Sequence, residues 1–266
     1  MLKNETYFKD KNFQLLLGDS ISLMKKMKPM SIDMIFADPP YLLSNNGITV
    51  HSGEMVSVNK GEWDVSKGVD EDFKFQDAWI KAAKRLLKPN GTIWISGTYH
   101  SIYLCGHSLQ KHGYKILNEI TWFKPNGAPN ISCRYFTASH ETLIWAGRDS
   151  KTKHTFNYED MKFSKWENDH FKNEDKQMRS VWSIATPSKN EKLEGKHPTQ
   201  KPIALLERLI RASTNEGDVI LDPFTGSSTT GIAAHKLNRN FVGIDNNQEY
   251  LNLSKKRYNT LQNEMA

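Results

Sequence analysis

Apolar and polar positions in this chain follow two rhythms. Short apolar runs closed by glycine, proline or charged residues predict buried strands over 13–17, 31–37, 92–96, 116–123, 143–146, 218–222 and 240–244. Elsewhere apolar residues return every three or four positions, which predicts helices over 72–87, 101–111, 203–214 and 247–258. Strands that alternate with amphipathic helices imply an α/β fold, a largely parallel sheet with helices on both faces. The rhythm fades over 148–196, where charged and aromatic residues alternate instead.

Two strand ends carry candidate chemistry. The run 31–37 ends in Asp38-Pro39-Pro40-Tyr41, a rigid corner that offers a carboxylate, a donor-free proline carbonyl and an aromatic ring. An exocyclic amine on a nucleobase is a weak nucleophile because its lone pair is delocalised. If the Asp38 carboxylate and the Pro39 carbonyl accept its two protons, the nitrogen can attack an activated methyl group directly. Tyr41 is then expected to stack on the extruded base. Asp-Pro-Pro also ends ordinary strands in surface turns, so the corner alone is ambiguous.

The second strand end is Asp222-Pro223-Phe224-Thr225-Gly226-Ser227, which leads into a helix. Gly226 permits close backbone approach to a ligand, and Asp245 closes the next strand 19 residues later. That spacing suits an acid that meets ribose hydroxyls in a nucleotide-binding βαβ unit. The strand over 13–17 ends in Gly18-Asp19 and can continue the same sheet. Asp19, Asp38, Asp222 and Asp245 would then share the carboxyl edge where open α/β sheets bind ligands.

Composition narrows the classes without deciding among them. The chain has 266 residues, enough for one large domain with an insertion. Thirty-six basic residues against thirty acidic ones give +6, which favours a polyanionic partner weakly. Cys105 and Cys133 show neither metal-ligand spacing nor the prolyl setting of a cytosine-C5 nucleophile, so direct amine methylation without a metal is expected. No signal peptide or membrane-spanning stretch is read, which points to the cytoplasm.

Four segments together resemble the β-class exocyclic-amino DNA methyltransferases, in which the catalytic motif precedes the cofactor motif. They are Ala37 to Tyr41, the Gly-Lys-His-Pro-Thr-Gln-Lys-Pro run ending at Pro202, Asp222 to Ser227, and Phe241 to Asp245. The resemblance covers nearly the whole chain. It implies a Rossmann-like, seven-stranded methyltransferase sheet with 143–146 as its last, antiparallel strand. It also implies S-adenosyl-L-methionine as cofactor and DNA as substrate, with the Asp-Pro-Pro-Tyr form pointing to adenine N6. The chain is most similar to DpnA-type methylases of GATC restriction systems. Restriction-modification or host-defence evasion is the implied setting, with a cognate endonuclease and a homodimeric state as further partners to expect.

By the same resemblance Asp19 faces the cofactor adenine and Asp245 its ribose. Thr199, Gln200 and Lys201 face its methionine part, and Asp222, Phe224, Gly226 and Ser227 complete the site. Residues 1–147 and 197–266 then form the two parts of one catalytic domain, with 148–196 as a target-recognition insertion. Lys165 and Arg179 in that insertion, and Arg134 and Tyr135 in the loop before 140, are the candidate DNA contacts. The irregular stretch after Tyr41 is expected to close over the target. Ser228 departs from the family pattern, which has a second glycine there. That departure leaves a silent DNA-binding relic open, and the geometry of the corner leaves open cytosine-N4 methylation or an RNA or protein-amide substrate.

Overall fold

The computed structural model describes residues 4–42, 48–51, 54–57, 64–127, 129, 133–164, 166, 169 and 177–265. Eleven strands and seven α-helices follow in chain order: β1 Thr6–Asp10, β2 Phe13–Leu17, α1 Ser20–Lys26, β3 Ile32–Ala37, β4 Ile48–His51, β5 Glu54–Ser57, α2 Val69–Leu86, β6 Leu87–Gly97, α3 Ile102–Lys111, β7 Lys115–Phe123, β8 His140–Gly147, α4 Tyr158–Phe163, β9 Val181–Ser183, α5 Ile203–Ser213, β10 Val219–Asp222, α6 Thr229–Lys236, β11 Asn240–Asp245 and α7 Gln248–Met265. Every strand and helix expected from the hydrophobic pattern is present, with shifted ends. The helix expected over 247–258 extends further because Leu261 still packs on the sheet.

Nine strands form one mixed sheet in the order β1-β2-β11-β10-β3-β6-β8-β7-β9. The five from β2 to β6 are parallel, and β8 runs antiparallel between β6 and β7. The expected seven-stranded sheet is therefore too small, and β8 is not its edge. At one edge Thr6–Asp10 folds back on β2 as a hairpin through Lys11, whose φ is 42°. At the other, β9 pairs with β7 and buries Trp182 against Trp94, itself stacked on Trp145 at 4.9 Å. Neither edge strand has an apolar run long enough to stand out in the sequence. The stretch after Tyr41, expected to be irregular, contains the β4–β5 hairpin, consistent with the β-branched Ile48, Thr49, Val50 and Val56 flanking Ser52-Gly53. Its expected closure over a target lies outside the described residues.

Helices cover both faces. On β3, Ile35 and Ala37 join the core under α1, α2 and α3, while Met34 and Phe36 join the core under α5, α6 and α7, the period-two alternation of a sheet buried on both sides. Crossover helix α2 lies on the first face and α6 on the second, so the crossovers change side between neighbouring strands β3 and β10. Such a switch point leaves a crevice at the carboxyl ends of the strands. Residues 148–196 supply α4, which is bound to α5, and β9. Arg208 of α5 pairs with Asp169 at 2.6 Å and lies 4.1 Å from the Trp182 ring centroid.

The fit of α6 against the sheet depends on Gly231. A Cβ there would lie 2.5 Å from the ring of Phe241 and 2.6 Å from that of Phe13, both fully packed. Gly231→Ala should lower unfolding stability by about 1–3 kcal/mol, the usual cost of overpacking a core. The midpoint of urea denaturation measures it, and an unchanged midpoint would contradict this packing.

Candidate active site

Strand β3 is buried along most of its length and delivers Asp38 to the crevice. The two prolines bring no N–H groups to the turn. The next two amides, of Tyr41 and Leu42, both donate to Asp64 Oδ1, at 2.7 and 2.8 Å. Asp64 thereby clamps a corner in which Leu42 takes a left-handed φ of 63°.

Tyr41 turns inward. It is 5 % exposed, and its hydroxyl oxygen lies 2.6 Å from Asp38 Oδ1, 2.9 Å from Ser96 Oγ and 2.8 Å from Glu141 Oε2. The expectation that this ring offers its face to an extruded base does not describe this conformation. The ring is tied down by its hydroxyl, and Lys201 Nζ sits 5.0 Å from its centroid. One hydroxyl proton also faces two carboxylates, so the group is a hinge between them rather than a free platform.

The charges around Tyr41 balance. Lys201 Nζ donates to Asp38 Oδ2 at 2.5 Å and lies 3.6 Å from Glu141 Oε2; Lys124 Nζ donates to Glu141 Oε1 at 3.0 Å. Burial pushes the Asp38 carboxyl up. Lys201 opposes this and the Glu141 charge adds to it, leaving Asp38 above the ordinary carboxylate range. Burial acts the same way on Glu141, but Lys201 and Lys124 outweigh it and hold that group down at about 2. Lys201 loses affinity for its proton through burial, yet its two carboxylate neighbours more than restore it. The cluster is thus a charged Lys201 between an ionised Glu141 and an Asp38 with raised proton affinity.

Next to this cluster lies a cavity of ≈ 580 Å³. All nine residues expected to hold the cofactor line it: Asp19, Thr199, Gln200, Lys201, Asp222, Phe224, Gly226, Ser227 and Asp245. Asp38 and Pro40 line it as well, whereas Pro39 and Tyr41 do not. Two segments distant in sequence therefore meet at one crevice. At its far end Asp245 accepts the amide protons of Gly226 and Asn247, each at 2.9 Å, which fixes the carboxylate at the tip of β11. Asp19 caps α1 by accepting from Ser22 N at 2.8 Å. Burial pushes Asp222 up to about 7 despite a 2.6 Å hydrogen bond from Thr230 Oγ1.

The cavity fits an adenosyl cofactor. Its volume lies in the range of small-molecule sites, and a carboxylate, Asp245, stands where ribose hydroxyls need an acceptor. Gly226, at φ +48°, leaves space that a Cβ would close, since that atom would lie 2.8 Å from His197 Nε2. Ser228, the departure from the family pattern, does not line the cavity. It takes the left-handed conformation, φ 53°, that a glycine would take, at the residue just before α6. Its hydroxyl is buried 2.9 Å from Thr225 Oγ1 and donates to Ser254 Oγ at 2.8 Å.

Comparison with known proteins agrees with this geometry. A family model described as DNA methylase, the N6/N4 group, matches residues 32–256. The chain belongs to the N6/N4 DNA methylase family. It is 52% identical over 260 residues to the type II methyltransferase M2.LlaDCHI of Lactococcus lactis subsp. cremoris, covering 97% of this chain and 94% of that one. It is also 52% identical to the type II methyltransferase M2.DpnII of Streptococcus pneumoniae, over 97% of this chain and 93% of the relative. Among solved structures, the M1.HpyAVI–SAM complex is 31% identical with a TM-score of 0.66, covering 93% of this chain and 99% of that one.

The family motifs led to Asp38 and the cavity but not to Asp64, Ser96, Lys124 or Glu141. Asp64 holds the corner amides, Ser96 and Glu141 meet the Tyr41 hydroxyl, and Lys124 pairs with Glu141. The one sequence signal was Glu141, a lone acid opening an apolar strand. Arg134 and Tyr135 stand exposed in the β7–β8 loop, Arg179 is exposed just before β9, and Lys165 lies outside the described residues.

Two expectations follow for this methylase site. The Glu141 charge raises the proton affinity of Asp38 and the Tyr41 hydroxyl lowers it. In kcat/KM profiles, Glu141→Gln should therefore move the acid limb to lower pH and Tyr41→Phe to higher pH, each variant also losing about tenfold or more in rate. Shifts in the same direction would contradict the assigned network. Ser228→Gly should relieve a left-handed residue while losing two hydrogen bonds, so stability should change by no more than about 1 kcal/mol. Calorimetric titration should find S-adenosylmethionine affinity within about twofold of the parent, well under 1 kcal/mol; a large loss would place Ser228 in the binding site after all.

Proposed function

We propose that this enzyme methylates the N6 amino group of adenine in DNA, within GATC, using S-adenosylmethionine. The observation that carries the reading is the Asp38 carboxylate, presented by a doubly prolyl corner beside the cavity and held at raised proton affinity by burial and the nearby Glu141 charge, against the opposing pull of Lys201. Bound cofactor supplies a methyl group activated by sulfonium. The target amine takes a place on Asp38, with the Pro39 carbonyl as second acceptor, and its nitrogen lone pair is freed for attack. The proton released as the methylated amine forms passes to Asp38. Lys201 must yield Asp38 Oδ2 to the amine, and Glu141 Oε2, 3.6 Å away, is a second seat for its ammonium.

Specificity belongs, in this reading, to 148–196 with Arg179 and to the β7–β8 loop with Arg134 and Tyr135. GATC follows from the resemblance to DpnA-type methylases and from high identity to type II methyltransferases over nearly the full chain. That kinship also supports a restriction-modification setting in the cytoplasm, with a cognate endonuclease cutting the same site. A homodimer is the further assembly to test. Among the described residues no helix is long and apolar enough to cross a membrane.

Incubation with unmethylated DNA and S-adenosylmethionine, followed by nucleoside analysis and mapping, tests the reading. N6-methyladenine in GATC is expected. N4-methylcytosine would overturn the base assignment, and absence of product together with absence of cofactor binding would favour a silent relic. Asp38→Ala should lose about a thousandfold or more in methyl transfer while its circular dichroism stays that of the parent. Full activity in that variant would sink the mechanism.

A further inference from the structure

Four large aromatic side chains are exposed in the segments that follow the carboxyl ends of β6 and β7. Tyr99 is 60% exposed, Tyr103 74%, Tyr135 70% and Phe136 98%. Tyr99 and Tyr103 follow the end of β6, two strands of the sheet away from β7, and Tyr135 and Phe136 lie in the loop between β7 and β8. These strand ends are neighbours, since Gly97 pairs with Thr142 and Phe123 with His140. The same ends carry Ser96, Lys124 and Glu141, the groups that hold Tyr41 and Asp38. The two segments therefore start from the strand ends that carry the active-site cluster.

Their setting is short of negative charge. Neither 98–103 nor 133–139 contains an acidic residue, although the chain has thirty, and 133–139 carries the cation Arg134. Exposed aromatics in acid-free loops suit nucleic-acid bases, which have π-faces and sit on a polyanion.

We propose that Tyr99, Tyr103, Tyr135 and Phe136 form a stacking surface for the bases that flank the methylated adenine, with Phe136 its most protruding ring. This rests on the DNA-methylating reading above. In a duplex the ring would enter the step opened by base extrusion; on a single strand it would stack on the splayed neighbour. Both uses present the same aromatic face to DNA.

The test uses the full chain and GATC oligonucleotides, duplex and single-stranded, with 5-iodouracil in place of the thymine that follows the target adenine. Irradiation should crosslink the probe to the peptide containing Tyr135 and Phe136. Phe136→Ala should weaken DNA binding about tenfold, within the range of base–aromatic stacking, and Phe136→Trp should restore it. Crosslinking confined to other segments together with unchanged affinity in Phe136→Ala would overturn the proposal. So would sedimentation showing that Phe136→Ala converts a dimer to monomer with DNA affinity intact, since the ring would then cover a second copy. Crosslinking needs no catalysis, so a crosslink at Phe136 without any methylation would count against the assigned reaction and not against this surface.

Discussion

The bond between Lys201 and Asp38 is the contact on which the site depends. It joins residues 163 positions apart and locks the corner after β3 to the loop before α5. Neither group could be buried alone. Removing one partner of a buried pair typically costs about 3–5 kcal/mol, because the remaining charge is left in low dielectric. Here the pair is also not left to itself, since Glu141, Lys124 and the Tyr41 hydroxyl extend it into a network without surplus charge. The Asp38 carboxylate is thereby kept largely out of water while its charge is shared across a network of partners.

The sheet explains how such a cluster can exist. Its members come from β3, β6, β8, the loop after β7 and the loop before α5, and each reaches the carboxyl edge because the crossovers change face between β3 and β10. The cofactor cavity opens at the same place, so chemistry and binding share one rigid frame. Chain order is immaterial to that outcome. A catalytic motif early in the sequence and a glycine turn late in it meet because β10 pairs directly with β3.

What the sequence made legible was local. Asp38, Asp222 and Asp245 each end a short apolar strand and are followed by turn residues, so residue type and position could be read without a structure. The nine cavity-lining residues expected to hold the cofactor came from motifs of that kind and from family resemblance. Less legible were interactions spanning long separations: Glu141 with Tyr41, Asp64 with the corner amides, and β9 with β7. Tyr41 was legible as a motif member but not in orientation, because its direction is set by Ser96 and Glu141, which lie far along the chain. Ser228 shows the converse. A departure that suggested a weakened cofactor site is accommodated by a left-handed turn and two hydroxyl partners, while Ser228 itself does not line the cavity.

The central claim is that Tyr41 and Glu141 act on Asp38 as one unit. A double-mutant cycle on kcat with Tyr41→Phe, Glu141→Gln and the combined variant tests it most directly. The account predicts strong non-additivity, with the double variant little slower than the worse single one and a coupling of about 1 kcal/mol or more, as expected for residues in one hydrogen-bonded network. Additive losses would mean that the two side chains contribute separately and that the buried cluster does not set the reactivity of Asp38.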